Sequence, residues 1–244
     1  MKVEKEDLGL KELLLEGSSK FDIVLGEEQA GKFFKYKDIL KEWNEKINLT
    51  AIEDDKEIII KHFIDSLSIA PFIKDRGTKL IDVGTGAGFP GIPLKIVFPD
   101  LKVTLLDSLE KRIKFLDQVI KELGLKEIKA VHSRAEDKGV AADYREQFDI
   151  ACARAVANLP VLLEYCLPFV KVGGYFIAMK GSSTEEIDNS KKALDILGGK
   201  IEDVKEFVLP SSDIKRNVVV VKKFRQTPTK YPRKSGKVSK DPLI

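Results

Sequence analysis

Three stretches of this 244-residue chain carry acids and glycines at intervals suited to gripping a ligand. In LIDVGTGAGFPG (residues 80–91), Asp82 precedes Gly84, Gly86 and Gly88, one glycine at every second position. Glycines so placed allow the backbone close to a bound molecule. A second acid, Asp107, ends KVTLLD 25 residues further on, and Ala135-Glu136-Asp137 follows EIKAVHS. A carboxylate at the position of Asp107 can accept both hydroxyls of a ribose. A group near Glu136 can reach the edge of a base. Ordinary loop glycines and capping acids would explain one such stretch well, but three in order poorly.

The ligand is a matter of charge. The spacing G-x-G-x-G differs from the dinucleotide fingerprint, although Gly91 follows Gly88 at three and keeps that variant open. Asp82 argues the other way: a carboxylate just before the turn repels a pyrophosphate and attracts an ammonium group. Pro90 and Pro93 also remove two N–H donors from the helix start, which weakens a phosphate nest. A ligand with an amino-acid end and an adenosine, S-adenosylmethionine, fits better than NAD. Two histidines, His62 and His132, leave no zinc site of usual composition, and no nucleophile–base pair is evident.

The elements needed to position these residues are legible in the periodicity. Residues 4–73 read as helices, with Phe33, Phe34, Ile39, Leu40, Trp43 and Ile47 at helical spacing and most economically core. From Lys79, apolar strands alternate with helices: KLIDVG, KVTLLD, EIKAVHS, FDIACARA and YFIAMKG. Ser108 and Gly124 stand as cap and stop of the helix SLEKRIKFLDQVIKELG, and LPVLLEYCLPFVKVGG and TEEIDNSKKALDILGG read as further helices. Near-continuous apolar strands belong to a parallel sheet covered on both faces. IEDVKEFVL and NVVVVKKF lack an intervening helix, so an antiparallel end is expected. The fold class is therefore α/β, Rossmann-like, with a helical extension at residues 1–76, a core domain at 77–224 and a tail at 225–244.

Lys and Arg number 42 against 39 acids, but eight of the 42 fall between Lys222 and Lys240, where there is no acid. The rest is net acidic, 34 basic against 39 acidic. A basic tail on an acidic body suggests a polyanionic partner met at one face. The tail RQTPTKYPRKSGKVSKDPLI has three prolines and little apolar material, and is expected to be mobile when unbound. Cys152 and Cys166 lie in apolar segments, as in a reduced cytosolic protein. The charged N-terminus lacks a signal-peptide core, and no apolar run approaches a membrane span. A cytoplasmic, soluble, monomeric protein is expected.

LIDVGTGAGFPGIPLKI, LLDSLEKRIKFL, HSRAED and ARAVANLPVLLEYCLPFV closely resemble the glucose-inhibited division protein B family of small-subunit rRNA methyltransferases. WNEKINLTAI, KHFIDSL and KYPRKSGKVSKDPL extend the resemblance over nearly the whole chain. It implies a class I S-adenosylmethionine-dependent methyltransferase fold and N7-methylation of one guanine of 16S rRNA, in the decoding region of the small ribosomal subunit. It also implies that Gly84 and Phe89 contact the cofactor, that Asp107, Ser108 and Leu109 hold its ribose, that Ala135 and Glu136 meet its adenine, and that Arg154 lines the pocket.

Guanine N7 has an in-plane lone pair and needs no general base, so the enzyme's task is alignment and charge management. Arg154 and Lys180 each end an apolar strand and are the candidates for acting at the reacting base. Asn48, Arg134, Lys180 and Arg216 are the candidates for holding RNA, with Thr50 beside Asn48. His62, Asp65 and Ser66 read as satisfied helix residues. Tyr231 could stack on a base. The tail is expected to add affinity for RNA and to leave cofactor binding untouched. A small-molecule methyltransferase, a nicotinamide dehydrogenase and a non-catalytic RNA-binding protein are the alternatives.

Overall fold

The computed structural model describes residues 2–73, 77–154, 157–181 and 185–244, with side chains from residue 8 onward except that of residue 185. The expected boundary between residues 76 and 77, and the helix start at Thr184, touch residues outside that description.

Seven strands form one sheet: β1 (Lys79–Val83), β2 (Lys102–Asp107), β3 (Ile128–His132), β4 (Phe148–Arg154), β5 (Val170–Lys180), β6 (Gly199–Val208) and β7 (Lys215–Lys223). Their order is β3-β2-β1-β4-β5-β7-β6. The first five pair in parallel, and β7 runs antiparallel between β5 and β6. The order reverses between β1 and β4, so the carboxyl ends of these strands open a crevice there. Asp82, Asp107, Arg154 and Lys180 stand at or next to those ends.

The helices are α1 (Lys2–Ser19), α2 (Glu27–Ile47), α3 (Asp55–Ile58), α4 (Asp65–Leu67), α5 (Gly91–Val97), α6 (Glu110–Glu122), α7 (Ala135–Lys138), α8 (Leu159–Cys166), α9 (Glu185–Asp188), α10 (Lys191–Leu197) and α11 (Lys237–Lys240). The N-terminal helices share a core with one sheet face: Phe33, Tyr36, Leu40 and Phe63 are buried with Phe89, Ile92 and Phe115. Tyr36 stacks on Phe63 and donates its hydroxyl to the Ala87 carbonyl, inside the glycine turn. The opposite face is covered chiefly by α8 and α10, through Leu159, Leu162, Leu163, Leu194 and Leu197.

The structure departs from the sequence reading in five places. The helix expected through IIIKHFIDSL widens into a π-helical stretch, Ile59–Ile64, between α3 and α4. The helix expected through LPVLLEYCLPFVKVGG stops at Cys166, because Pro168 has no N–H to continue it; a 3-10 turn, Leu167–Phe169, leads directly into β5. TEEIDNSKKALDILGG forms two short helices, α9 and α10, with Gly198 at φ 82 ending the second. Leu109 rather than Ser108 occupies the cap position of α6, without a side-chain cap. The basic tail, expected as a mobile segment, is laid against α8, with Tyr231, Val238 and Leu243 buried.

Candidate active site

At the carboxyl end of the sheet lies a cleft of about 670 Å³, lined from β1, β2, β4 and β5 and, on its far side, from the N-terminal segment Leu49–Asp65. A smaller space of about 260 Å³ adjoins it, bounded by Glu136, Tyr165 and Ser239. Gly84, Asp107 and Ser108 line both, so the two form one bent groove. The union falls within the size range of small-ligand sites.

The glycine turn is built around Asp82. Its Oδ2 accepts from Thr85 Oγ1 at 2.7 Å and from the Gly91 N–H at 2.9 Å. Gly84, Gly86 and Gly88 have φ of 70°, 61° and 94°, a region that favours glycine. A Cβ on Gly88 would lie 2.7 Å from Tyr36 Oη, and one on Gly91 would lie 2.4 Å from Leu105 Cδ2. The glycines therefore serve turn geometry and tight packing as well as ligand access. Asp82 itself is completely buried and does not line the groove, which corrects its reading as a facing partner for an ammonium group. It acts from beneath the loop. Oδ1 has no hydrogen-bond partner, and burial raises the carboxyl pKa to about 6 despite the Thr85 and Gly91 hydrogen bonds.

Asp107, at the end of β2, organises the middle of the groove. Oδ2 accepts from Gly86 N–H at 2.9 Å and from Arg112 Nη1 at 3.2 Å; Oδ1 accepts from Leu109 N–H at 3.0 Å. A carboxylate has about four lone-pair sites, so one acceptor position is left on Oδ1. Leu109 contributes this N–H but is 42% exposed and lines neither part of the groove. Ser108 lines both, and its carbonyl accepts from His132 Nε2 at 3.0 Å.

At the end of β4, Arg154 joins the sheet to the π-helical turn. Nη1 donates to the Lys61 carbonyl at 2.8 Å and to Asp65 Oδ2 at 3.2 Å; Nη2 donates to His62 Nδ1 at 3.2 Å. The guanidinium lies 4.8 Å from the centre of the Phe89 ring, on which His62 also stacks at 4.5 Å. Asp65 Oδ1 accepts from Arg216 Nε at 3.0 Å, so one buried carboxylate pairs with two arginines. Arginine cannot accept a hydrogen bond, which assigns the lone pair of His62 to Nδ1 and its proton to Nε2. Nε2 then donates to Thr50 Oγ1 at 2.9 Å, which also accepts from Ile52 N–H at 3.0 Å. With both acceptor positions used, the Thr50 hydroxyl presents only its proton, and Thr50 lines the groove.

Burial, helped by the Arg154 charge, pushes the His62 pKa down to about 3. Its stabilising effect is complete above the ordinary value of 6.5 and is lost as pH falls towards 3. Asp82 has the opposite sign, its protonated form favouring the fold below 3.8 and that advantage fading as pH rises through about 6. In wild type the two slopes oppose between these limits. His62→Gln should therefore gain stability relative to wild type as pH falls from 6.5 to 4, by up to about 1.4 kcal/mol per pH unit. Urea midpoints across that range measure it, and parallel curves for the two proteins would refute a buried neutral imidazole.

The other expected residues are distributed unevenly. Gly84, Gly86, Phe89, Asp107, Ser108, Arg154, Lys180 and Arg216 come together around the larger cleft, and Ala135, Glu136 and Arg134 around the smaller space. Lys180 donates to the Ala157 carbonyl at 2.7 Å and pairs with Glu186 at 2.8 Å, so it arrives at the cleft already engaged. Arg134 is exposed and donates to Ser235 Oγ at 2.7 Å. Asn48 stands apart: it is the left-handed C-cap of α2, at φ 48°, exposed and outside the groove. Its neighbour Thr50 holds the lining position. Arg112, Tyr165 and Ser239 escaped the sequence reading, since none stands at a strand end.

Comparison with known proteins agrees with this geometry. The family model described as rRNA small subunit methyltransferase G matches residues 29–219. The chain is 73% identical over 241 residues to the ribosomal RNA small subunit methyltransferase G of Acetivibrio thermocellus, covering 99% of this chain and 100% of that one. It is 56% identical over 236 residues to the protein of the same name from Alkaliphilus metalliredigens, covering 96% and 98%. Among solved structures, a SAM-dependent methyltransferase from Aquifex aeolicus superposes with a TM-score of 0.54 at 22% identity, over 71% of this chain and 96% of that one. M. jannaschii TYW2 in complex with AdoMet gives 0.51 at 19% identity, over 64% and 72%. These two share the fold. No helix among the described residues is long and apolar enough to cross a membrane.

Proposed function

This chain belongs to the rRNA small subunit methyltransferase G family, and from that premise we propose that it transfers the methyl group of S-adenosylmethionine to N7 of one guanine of 16S rRNA. The observation that carries the reading is the bent groove, whose ends meet at Asp107. The residues fit the cofactor: Asp107 keeps an acceptor position for a ribose hydroxyl, and the glycine turn, held from beneath by Asp82, lines the groove with Gly84 and Gly86. Gly84, Gly86 and Phe89 would hold the amino-acid end, Asp107 and Ser108 the ribose, and Ala135 and Glu136 the adenine.

The cofactor supplies a methyl group on a cationic sulfur, which the N7 lone pair takes as the sulfur–carbon bond breaks. The chain's own residues align the base and exclude alternatives. Around the larger cleft stand Thr50, Arg154, Lys180 and Arg216, all hydrogen-bond donors. The major-groove edge of guanine presents two acceptors, N7 and O6, whereas adenine presents N7 beside an amine. A rim of donors favours guanine. Thr50 is the sharpest case, because its acceptor positions are filled from within and only its proton faces outward.

Thr50→Val should therefore lower methylation of small subunits about tenfold, the size of one hydrogen bond lost at a desolvated site, while Thr50→Ser retains most activity. Equal activity of all three would remove Thr50 from guanine recognition. The function itself is tested by methyl transfer from labelled S-adenosylmethionine to unmethylated small subunits and to free rRNA, with strand cleavage at 7-methylguanine locating the product. A product at any other atom or base would sink the proposal.

A further inference from the structure

We propose that the C-terminal segment 225–244 is the outer wall of the adenine end of the groove, so that cofactor binding and docking of this segment are one coupled event. The inference rests on the reading of the groove as an S-adenosylmethionine site. It reverses the expectation that the tail serves RNA alone.

The segment is fastened to both helices that bound the smaller space. On the α8 side, Arg233 holds Glu164 through Nε at 2.9 Å and Nη2 at 2.7 Å, and its N–H donates to the same carboxylate at 2.8 Å. Glu164 is completely buried, so this bidentate pair is shielded from water. The next residue, Tyr165, lines the smaller space together with Ser239 of the segment. On the α7 side, Arg134 donates to Ser235 Oγ, and Pro232 packs on Gly139, where a Cβ would come within 3.0 Å of Pro232 Cγ. Gly139 is the C-cap of α7, the helix that carries Ala135 and Glu136.

A third fastening comes from Arg145, which spends its guanidinium on main-chain carbonyls. Nη1 donates to Tyr231 O at 2.8 Å and Nη2 to Thr227 O at 2.6 Å. The segment thus reaches Ser239, which completes the rim of the smaller space, from anchors on both sides of it. A ligand seated between α7, α8 and Ser239 stabilises the docked segment, and by linkage the docked segment strengthens the ligand's binding. Lys230, Lys234, Lys237 and Lys240 are exposed on this same element, so the wall of the cofactor groove also carries an RNA-facing charge.

The test compares binding of S-adenosylmethionine to the full chain and to a chain ending at Phe224, by calorimetry. The full chain binds, and the shortened one binds at least about tenfold more weakly while keeping its circular dichroism. Undiminished affinity in a folded shortened chain would overturn the proposal. Hydrogen exchange on the intact protein keeps the question open to test if the shortened chain does not fold. Saturating cofactor slows exchange at amides 227–241 as well as in the glycine turn; protection confined to the glycine turn would overturn the coupling. If the full chain binds no S-adenosylmethionine, the reading of the groove itself falls.

Discussion

Arg154→Met should lower methyl transfer about a hundredfold at saturating cofactor and weaken the fold at the same time. The activity loss follows from alignment, since a displacement of about 1 Å at a reacting centre can cost on the order of a hundredfold. Arg154 ties β4 to the Lys61 carbonyl, Asp65 and His62, and it covers Phe89. Without it, His62 and, through His62, the lining residue Thr50 lose their hydrogen-bonded tie to β4, and Asp65 stays joined to the sheet only through Arg216 on β7. The stability loss follows from what is left behind. Asp65, with a side chain 4% exposed, keeps only Arg216, and the His62 Nδ1 lone pair loses its donor. Leaving a buried charge wholly uncompensated costs about 3–5 kcal/mol; with Arg216 still on Asp65, the loss falls below that range. Arg154→Lys keeps a charge but cannot form the fork, and should recover stability more than activity. Single-turnover rates and urea midpoints on the three proteins separate the two effects. Wild-type turnover in Arg154→Met would show that this network does not position the base.

The sequence made the frame of this site readable because strand ends announce themselves. KLIDV, KVTLLD, FDIACAR and YFIAMK each end in a residue that has to emerge at one edge of a parallel sheet, and Asp107, Arg154 and Lys180 do so. The antiparallel pair was equally plain from the missing crossover helix. What periodicity does not carry is the depth of a side chain at a turn. Asp82 occupies the expected place in the chain, yet Thr85 and Gly91 close over it, so it is buried beneath the loop and does not line the groove. The π-helical widening at Ile59–Ile64 has the same hydrophobic pattern as an α-helix, so His62 and Asp65 read as helix residues until Arg154 is seen between them. Asn48 and Thr50 are two residues apart, and only the backbone turn at Asn48 decides which faces the groove. The tail was misread for a different reason. Its composition is that of a mobile segment, but the partners that hold it, Glu164, Arg145 and Gly139, lie 50 to 100 residues away and carry no local sign of it.

Asp107→Ala should weaken binding of S-adenosylmethionine by about 3 kcal/mol, a hundredfold or more, which is the top of the range for one charge-assisted hydrogen bond and above its middle. The excess arises because the carboxylate has two duties. It offers an acceptor to the ribose, and it holds the Gly86 N–H, the Leu109 N–H and Arg112 in place. Removing it frees the tip of the glycine turn and leaves two N–H groups without an acceptor. Asp107→Asn does not rescue, because one carboxylate oxygen becomes an amide donor facing Gly86 and Arg112 or Leu109, all of which are donors themselves. Arg112→Met removes one contact and should cost about 1 kcal/mol or less, as for a partly exposed pair. The comparison that decides the role uses two ligands. S-adenosylhomocysteine has the same ribose and no charge on sulfur, so a ribose partner predicts an equal loss for both ligands in calorimetry. A loss confined to the sulfonium ligand would mean that Asp107 acts through charge at a distance, and would end its assignment to the ribose.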